Sequence, residues 1–224
     1  MGTSLPCLIF GGKGGIIKKK TGKEVLSMNK IITIGRQFGS GGRDIGKLTA
    51  EKLGFAFYDR DLIALASEKS GMSHAVLSEA DEKAASPWLY AAVGQSGQTG
   101  FMPTNDTLFA VQSQIILDIA KTENAVIVGR CADYILRDEP VELLNVYLYA
   151  SDEARIKRVS ERMGITEQQA LQKMKRHDKQ RKFYYDFYTD RKWASHVNYH
   201  LTLDSGKFGD EGTAEIIAAA MNLK

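Results

Sequence analysis

The chain has 224 residues, 43% of them hydrophobic and 25% charged, and a formal net charge of +3. Length and composition suit one globular α/β domain with insertions and exclude fibrous and low-complexity classes. The charge is too small to imply a nucleic-acid surface, although converging basic residues would suit a small anionic substrate.

Cys7 and Cys131 offer neither a disulfide framework nor a zinc spacing, which points to a reducing, cytoplasmic setting. No apolar run reaches the roughly 18 residues that a membrane helix needs. Residues 1–27 differ in character from the rest of the chain. LPCLIF is cut short by Gly11, Gly12 and Lys13, and Lys18, Lys19 and Lys20 come after it, where a signal peptide would have them before. This segment reads as a disordered leader or a remnant of an upstream start, and residues 28–224 as a single domain.

The first strand is expected at 31–34, followed by a loop holding Gly35, Gly39, Gly41 and Gly42. An amphipathic helix with Ile45, Leu48 and Leu53 on one face comes next. Strand, glycine-rich turn and helix together form a phosphate-binding unit. The glycines let backbone N–H groups approach an anion, and the helix N-terminus adds partial positive charge. The alternative is a tight turn with spare glycines. Against the pattern G-x-x-x-x-G-K-[ST], Gly42 stands in the lysine's place and Arg43 is the nearest cation. Arg43 is therefore expected to take over the lysine's role, since a guanidinium can clamp phosphate bidentately. Ser40 precedes the last glycines, and Asp44 is the nearest carboxylate.

A second strand is expected at 55–59, ending in Asp59, Arg60 and Asp61. In open α/β sheets ligands sit beyond the carboxyl ends of strands; a solvated turn is the other reading. Helical segments follow at 62–70 and 78–83, then a Gly- and Pro-containing loop at 94–107. An amphipathic helix spans 108–121. Further strands are expected at 125–128, ending in Gly129-Arg130, at 144–149 and at 198–203, with a closing helix at 214–221. Between the last two strands, Ser151 can cap a helix that carries Arg155, Arg158 and Arg162 on one face. A second basic helical stretch holds Asp178 and Arg181, three residues apart. Either these close over a phosphate or they are solvated faces. Alternating strands and helices imply a parallel sheet covered on both sides.

These motifs resemble the cytidylate kinase-like family of nucleoside monophosphate kinases. The similarity covers about 29–222 and rests on ITIGRQFGSGGRDIGKLTAEKLG, FYDRDLI, VIVGRCADYIL, ASDEARIKRV, DKQRKFYYDFYT and NYHLTLDS. It implies a P-loop NTPase fold: three α/β/α layers around a five-stranded parallel sheet, a monophosphate-binding insert at about 70–107 and a lid at about 164–192. It implies ATP-dependent phosphoryl transfer to a nucleoside monophosphate, CMP or dCMP before UMP, with Mg²⁺ arriving on ATP and no protein metal cluster. Gly39, Ser40, Gly41, Gly42, Arg43, Asp44 and Arg155 would bind ATP. Asp59, Arg130, Asp133, Asp178 and Arg181 would bind the acceptor, with Arg130 on its phosphate and Asp59 or Asp133 on the cytosine amino group. Arg43, Arg158 and Arg181 would act on the transferred group. Two acids of the family's D-G-R-D motif are replaced here, by Val128 and Cys131. The implied partners are nucleotides, with neither nucleic acid nor membrane. A nucleotide sensor without catalysis, a kinase for another small acceptor and a nucleic-acid module are the other readings.

Overall fold

The computed structural model describes residues 28–59 and 104–223. The 1–27 leader, the helical segments at 62–70 and 78–83, and most of the 70–107 insert lie outside the described residues. In chain order the elements are β1 (Lys30–Arg36), α1 (Gly42–Leu53), β2 (Ala56–Tyr58), α2 (Thr104–Thr122), β3 (Ala125–Val128) and α3 (Ala132–Ile135). They continue with β4 (Glu142–Tyr149), α4 (Asp152–Met163), α5 (Glu167–Thr189), a 3₁₀ turn (His196–Asn198), β5 (Leu201–Asp204) and α6 (Ser205–Met221).

The five strands form one sheet in the order β2-β3-β1-β4-β5, with every neighbouring pair parallel. β1 is central and its isoleucines divide between the two faces. Ile31 packs with Ile127 against Leu108, Ile115 and Ile116 of α2. Ile32 and Ile34 pack with Val126 and Val128 against Ile45 of α1 and Ala214 and Ile217 of α6. A strand buried on both faces reads as a continuous apolar run, which is why β1 and β3 are so plain in the sequence. Inside the sheet the Thr33 hydroxyl donates to Asn145 Oδ1 at 2.7 Å, satisfying two buried polar groups across β1 and β4.

Several element limits differ from expectation for local reasons. β1 continues to Arg36 because Gly35 and Arg36 pair with Tyr147 and Leu148. α6 begins at Ser205 rather than 214. Asp204 caps it by accepting from the N–H groups of Gly206 and Lys207, and Gly209 interrupts it with φ 67° and ψ 177°. α5 is a single 23-residue helix opened by a capping box between Thr166 and Gln169. Ser151 caps α4, as expected, by accepting from the N–H of Ala154. No helix among the described residues is long and apolar enough to cross a membrane.

Because all strands run parallel, the ends of β1, β2 and β3 open on one edge, with α1 starting directly above it. α1 comes very close to the sheet at Gly46. A Cβ there would lie 2.9 Å from Val128 Cγ2, 3.1 Å from Phe57 Cε2 and 3.2 Å from Ile34 Cδ1. Gly46→Val should therefore destabilise the fold by about 1–3 kcal/mol through overpacking. A urea midpoint equal to that of the unmodified chain would refute this close-packing account.

Candidate active site: a glycine loop under arginines

The loop between β1 and α1 turns through two left-handed glycines, Gly39 (φ 84°) and Gly41 (φ 80°). Gly41 is the N-cap of α1 and offers no side-chain hydrogen bond to the helix start. The first-turn N–H groups have no intrahelical acceptor, a geometry that suits an anion. That fits the phosphates of a nucleotide.

The underside of the loop is held by α4 and α5. The Phe38 N–H donates to Asp178 Oδ1 at 2.7 Å, and the Phe38 carbonyl accepts from Arg155 Nε at 2.8 Å. Arg155 and Asp178 also form an ion pair, and the Arg155 side chain is only 5% exposed. The Phe38 ring stacks on His177 with centroids 4.3 Å apart. Arg181 Nη1 donates to the Arg36 carbonyl at 3.2 Å. Ser40 closes the turn by donating to the Gln37 carbonyl at 2.9 Å, and Ser205 Oγ donates to the Ser40 carbonyl at 2.6 Å.

Two arginine side chains lie directly on the loop. A Cβ at Gly41 would meet Arg158 Nη1 at 2.0 Å, so only glycine leaves room for that arginine. Asp210, placed just past the break at Gly209, holds Arg158 through two bonds of 3.0 and 2.6 Å. Arg36 lies across the other side: a Cβ at Gly42 would meet its Cγ at 2.7 Å, and one at Gly129 would meet its Nη1 at 2.0 Å. Asp59, at the end of β2, joins this group. Its carboxylate is 3.7 Å from Arg36 Nη2 and 3.3 Å from Arg43 Nε. Arg181 is held down to about 9, well below the usual guanidinium value, by burial and then by Arg36, and stays charged at neutral pH.

Beside the loop, a cavity of about 440 Å³ opens between α4 and the start of α6, lined among others by Gly39, Ala150, Lys157, Arg158, Ser205 and Gly206. On the other side, β3 ends in three successive left-handed residues: Gly129 (φ 83°), Arg130 (φ 60°) and Cys131 (φ 55°). Such backbone is costly for non-glycine residues and concentrates at functional sites. Cys131 is buried, and burial pushes its thiol up, away from thiolate chemistry.

A model of the cytidylate kinase-like family matches residues 31–207. The chain belongs to the cytidylate kinase-like family. Among curated proteins it is similar to the cytidylate kinase of Methanococcus vannielii, at 29% identity over 85% of this chain and 99% of that one. It is also similar to the cytidylate kinase of Archaeoglobus fulgidus, at 26% identity over 86% of this chain and 95% of that one. The solved structure of an uncharacterized protein from Eubacterium ventriosum superposes with a TM-score of 0.66 at 28% identity, covering 88% of this chain and 100% of the other. The fold is the α/β arrangement around a five-stranded parallel sheet that the resemblance implied.

For this cytidylate kinase-like chain the structure brings Gly39, Ser40, Gly41, Gly42, Asp59, Arg43, Arg158 and Arg181 to one edge of the sheet. Arg43 is 53% exposed and turned to Asp59, and Asp44 pairs with Arg162 at 2.7 Å. Arg155 and Asp178 face each other and the loop backbone. Asp133 is buried and accepts from the Tyr185 hydroxyl at 2.6 Å. Burial raises its carboxyl above the usual range, with Tyr185 opposing. Sequence reasoning missed Arg36, Asp210 and the Phe38–His177 stack. Arg36 carried a faint signal, since it directly follows the first glycine.

Removing one member of the Arg155–Asp178 pair should strand a buried charge. Arg155→Ala is expected to cost about 3–5 kcal/mol of folding stability. Asp178→Asn, which keeps an acceptor for the Phe38 N–H, should cost less. Equal stability of all three proteins in chemical denaturation would show that the clamp is not structural.

His177 gives the same contact a pH dependence. Its imidazole is held below the usual 6.5 by burial, then by Arg181, Lys173 and Arg176, with Asp178 opposing. The unfolded chain therefore takes up this proton first as pH falls below about 6.5. The contribution of His177 to stability is present above that pH and declines below it. His177→Phe, which can stack but not titrate, should flatten the melting temperature between pH 6.5 and the lower folded value. An unchanged slope would exclude His177 as its source.

Proposed function

We propose that this protein transfers the γ-phosphoryl group of ATP to a nucleoside monophosphate, with CMP or dCMP preferred over UMP. The observation that carries this reading is the convergence of Arg36, Arg158 and Arg181 on one uncapped glycine loop at the open edge of the sheet. Phosphoryl transfer asks a protein chiefly to align two substrates and to spread charge over the group in flight. Family membership supports the same class, and the cytidylate kinases among its relatives support cytidine as the acceptor nucleoside.

On this reading the N–H groups at Gly39, Gly41, Gly42 and Arg43 hold the donor phosphates, and the cavity beside Lys157 and Arg158 takes the rest of the nucleotide. Arg130 and Asp59 stand on the acceptor side. An acceptor phosphate oxygen attacks the γ-phosphorus, the bond from that phosphorus to the bridging oxygen breaks, and the electron pair leaves with ADP. A dianionic acceptor needs no general base. Mg²⁺ supplies further charge neutralisation when it arrives with ATP. Phosphate oxygens and water would be the main ligands of a Mg²⁺ ion carried in on ATP. Arg158 and Arg181, both on the α4–α5 side of the loop, are assigned to the transferred group.

Two measurements test this reading. With purified protein, ATP and Mg²⁺, kcat/KM should be highest for CMP or dCMP among CMP, dCMP, UMP, AMP and GMP. A purine preference would overturn the acceptor assignment, and ATP binding without transfer to any acceptor would make the protein a nucleotide sensor. In Arg181→Ala, kcat should fall more than KM rises, because a contact made chiefly in the transition state is lost. An effect confined to KM would assign Arg181 to ground-state binding instead.

A further inference from the structure

We propose that Arg36, the residue directly after the first loop glycine, supplies the phosphate-binding charge that a P-loop lysine would supply from position 42, and that Gly42 is a glycine because Arg36 lies across it. The proposal rests on the phosphoryl-transfer reading and adds a residue to it.

Three contacts locate the side chain. Its stem covers Gly42, where a Cβ would stand 2.7 Å from Arg36 Cγ and 2.9 Å from its Cβ. Its guanidinium covers Gly129, where a Cβ would meet Nη1 at 2.0 Å and Cζ at 3.0 Å. Its Nη2 is 3.7 Å from Asp59 Oδ1. The side chain therefore runs from the helix start that receives donor phosphates, and its guanidinium ends at the strained turn at Gly129-Arg130 on the acceptor side. A lysine at position 42 would have to begin in the space that Arg36 fills. The two arrangements exclude each other sterically, and the Arg36 stem passes the start of α1 to carry its charge to the adjoining turn at Gly129.

Arg43 is placed less well for that task. Its side chain is 53% exposed and its Nε faces Asp59, whereas Arg36 is 21% exposed. A partly desolvated guanidinium interacts more strongly with phosphate than an exposed one. The planar fork of Arg36 can also contact two phosphate oxygens at once. Asp59 holds the fork in place before substrates arrive, so less side-chain freedom is lost on binding.

The test compares the full chain with Arg36→Ala, Arg36→Lys, Gly42→Ala and the double variant Arg36→Gly/Gly42→Lys. Binding of a fluorescent ATP analogue, kcat and KM with CMP, and thermal melting are read for each. Arg36→Ala should lower ATP affinity or kcat by roughly ten- to hundredfold, the loss typical of a charge-assisted contact. Arg36→Lys should retain part of the rate. Gly42→Ala removes no charge but drives a methyl group into the Arg36 stem, and should also lower kcat. The double variant should recover activity relative to Arg36→Ala, because both atoms that a side chain at position 42 would meet, the Cβ and the Cγ of residue 36, are then gone. Unchanged affinity and kcat in Arg36→Ala would overturn the proposal. So would a loss confined to melting temperature, or a double variant no better than Arg36→Ala. If the unmodified protein phosphorylates no monophosphate, the kinase reading fails on its own. A tenfold weaker ATP affinity in Arg36→Ala would then still uphold the phosphate contact, and an equal affinity would overturn it.

Discussion

The N–H and the carbonyl of a single residue, Phe38, are both bonded to one buried ion pair, and the geometry of the glycine loop depends on that arrangement. A loop rich in glycine loses more conformational entropy on folding than any other kind. Something must hold it open in a shape that leaves its amides facing outward. Arg155 and Asp178 do so from two different helices, reaching the loop from beneath. The cost of burying two charges is offset because each also satisfies a backbone group. The same pair ties α5 to the loop, so the shape of the phosphate cradle and the position of the helix that holds it are one structural fact.

The site also works by an exchange of bulk. Gly41, Gly42 and Gly129 each surrender the volume of a side chain, and Arg158 and Arg36 fill it. Several like charges gathered around one small region repel one another, and Arg181 is lowered first by its burial and then by Arg36. Asp59 and Asp210 offset part of that repulsion, and a polyphosphate would offset more. Such an arrangement relaxes when an anion binds, a pattern suited to a site whose ligand carries several negative charges.

Much of the scaffold was legible from periodicity. β3 fell at 125–128 as expected, because a strand buried on both faces is a short unbroken apolar run with turn residues on each side. The cap at Ser151 was equally plain. The start of α6 was not, because Gly206, Gly209 and Gly212 hide a helix whose first turn is fixed by Asp204 and whose axis breaks at Gly209. The roles of Arg155 and Asp178 were equally illegible, since side chains on two helices meet a loop more than a hundred residues away in sequence.

The sequence by itself determined the layer architecture, the glycine loop between strand and helix, and the family. All of these are written in local pattern and in motifs that survive without knowledge of contacts. Only the tertiary structure decided which arginines reach the loop and which serve elsewhere. Arg36, Arg43, Arg155, Arg158 and Arg181 are chemically the same residue, and a guanidinium on a long flexible stem can point to several partners. Which it meets depends on the space left by distant glycines and on carboxylates brought close by the sheet, and neither is recorded in local order along the chain.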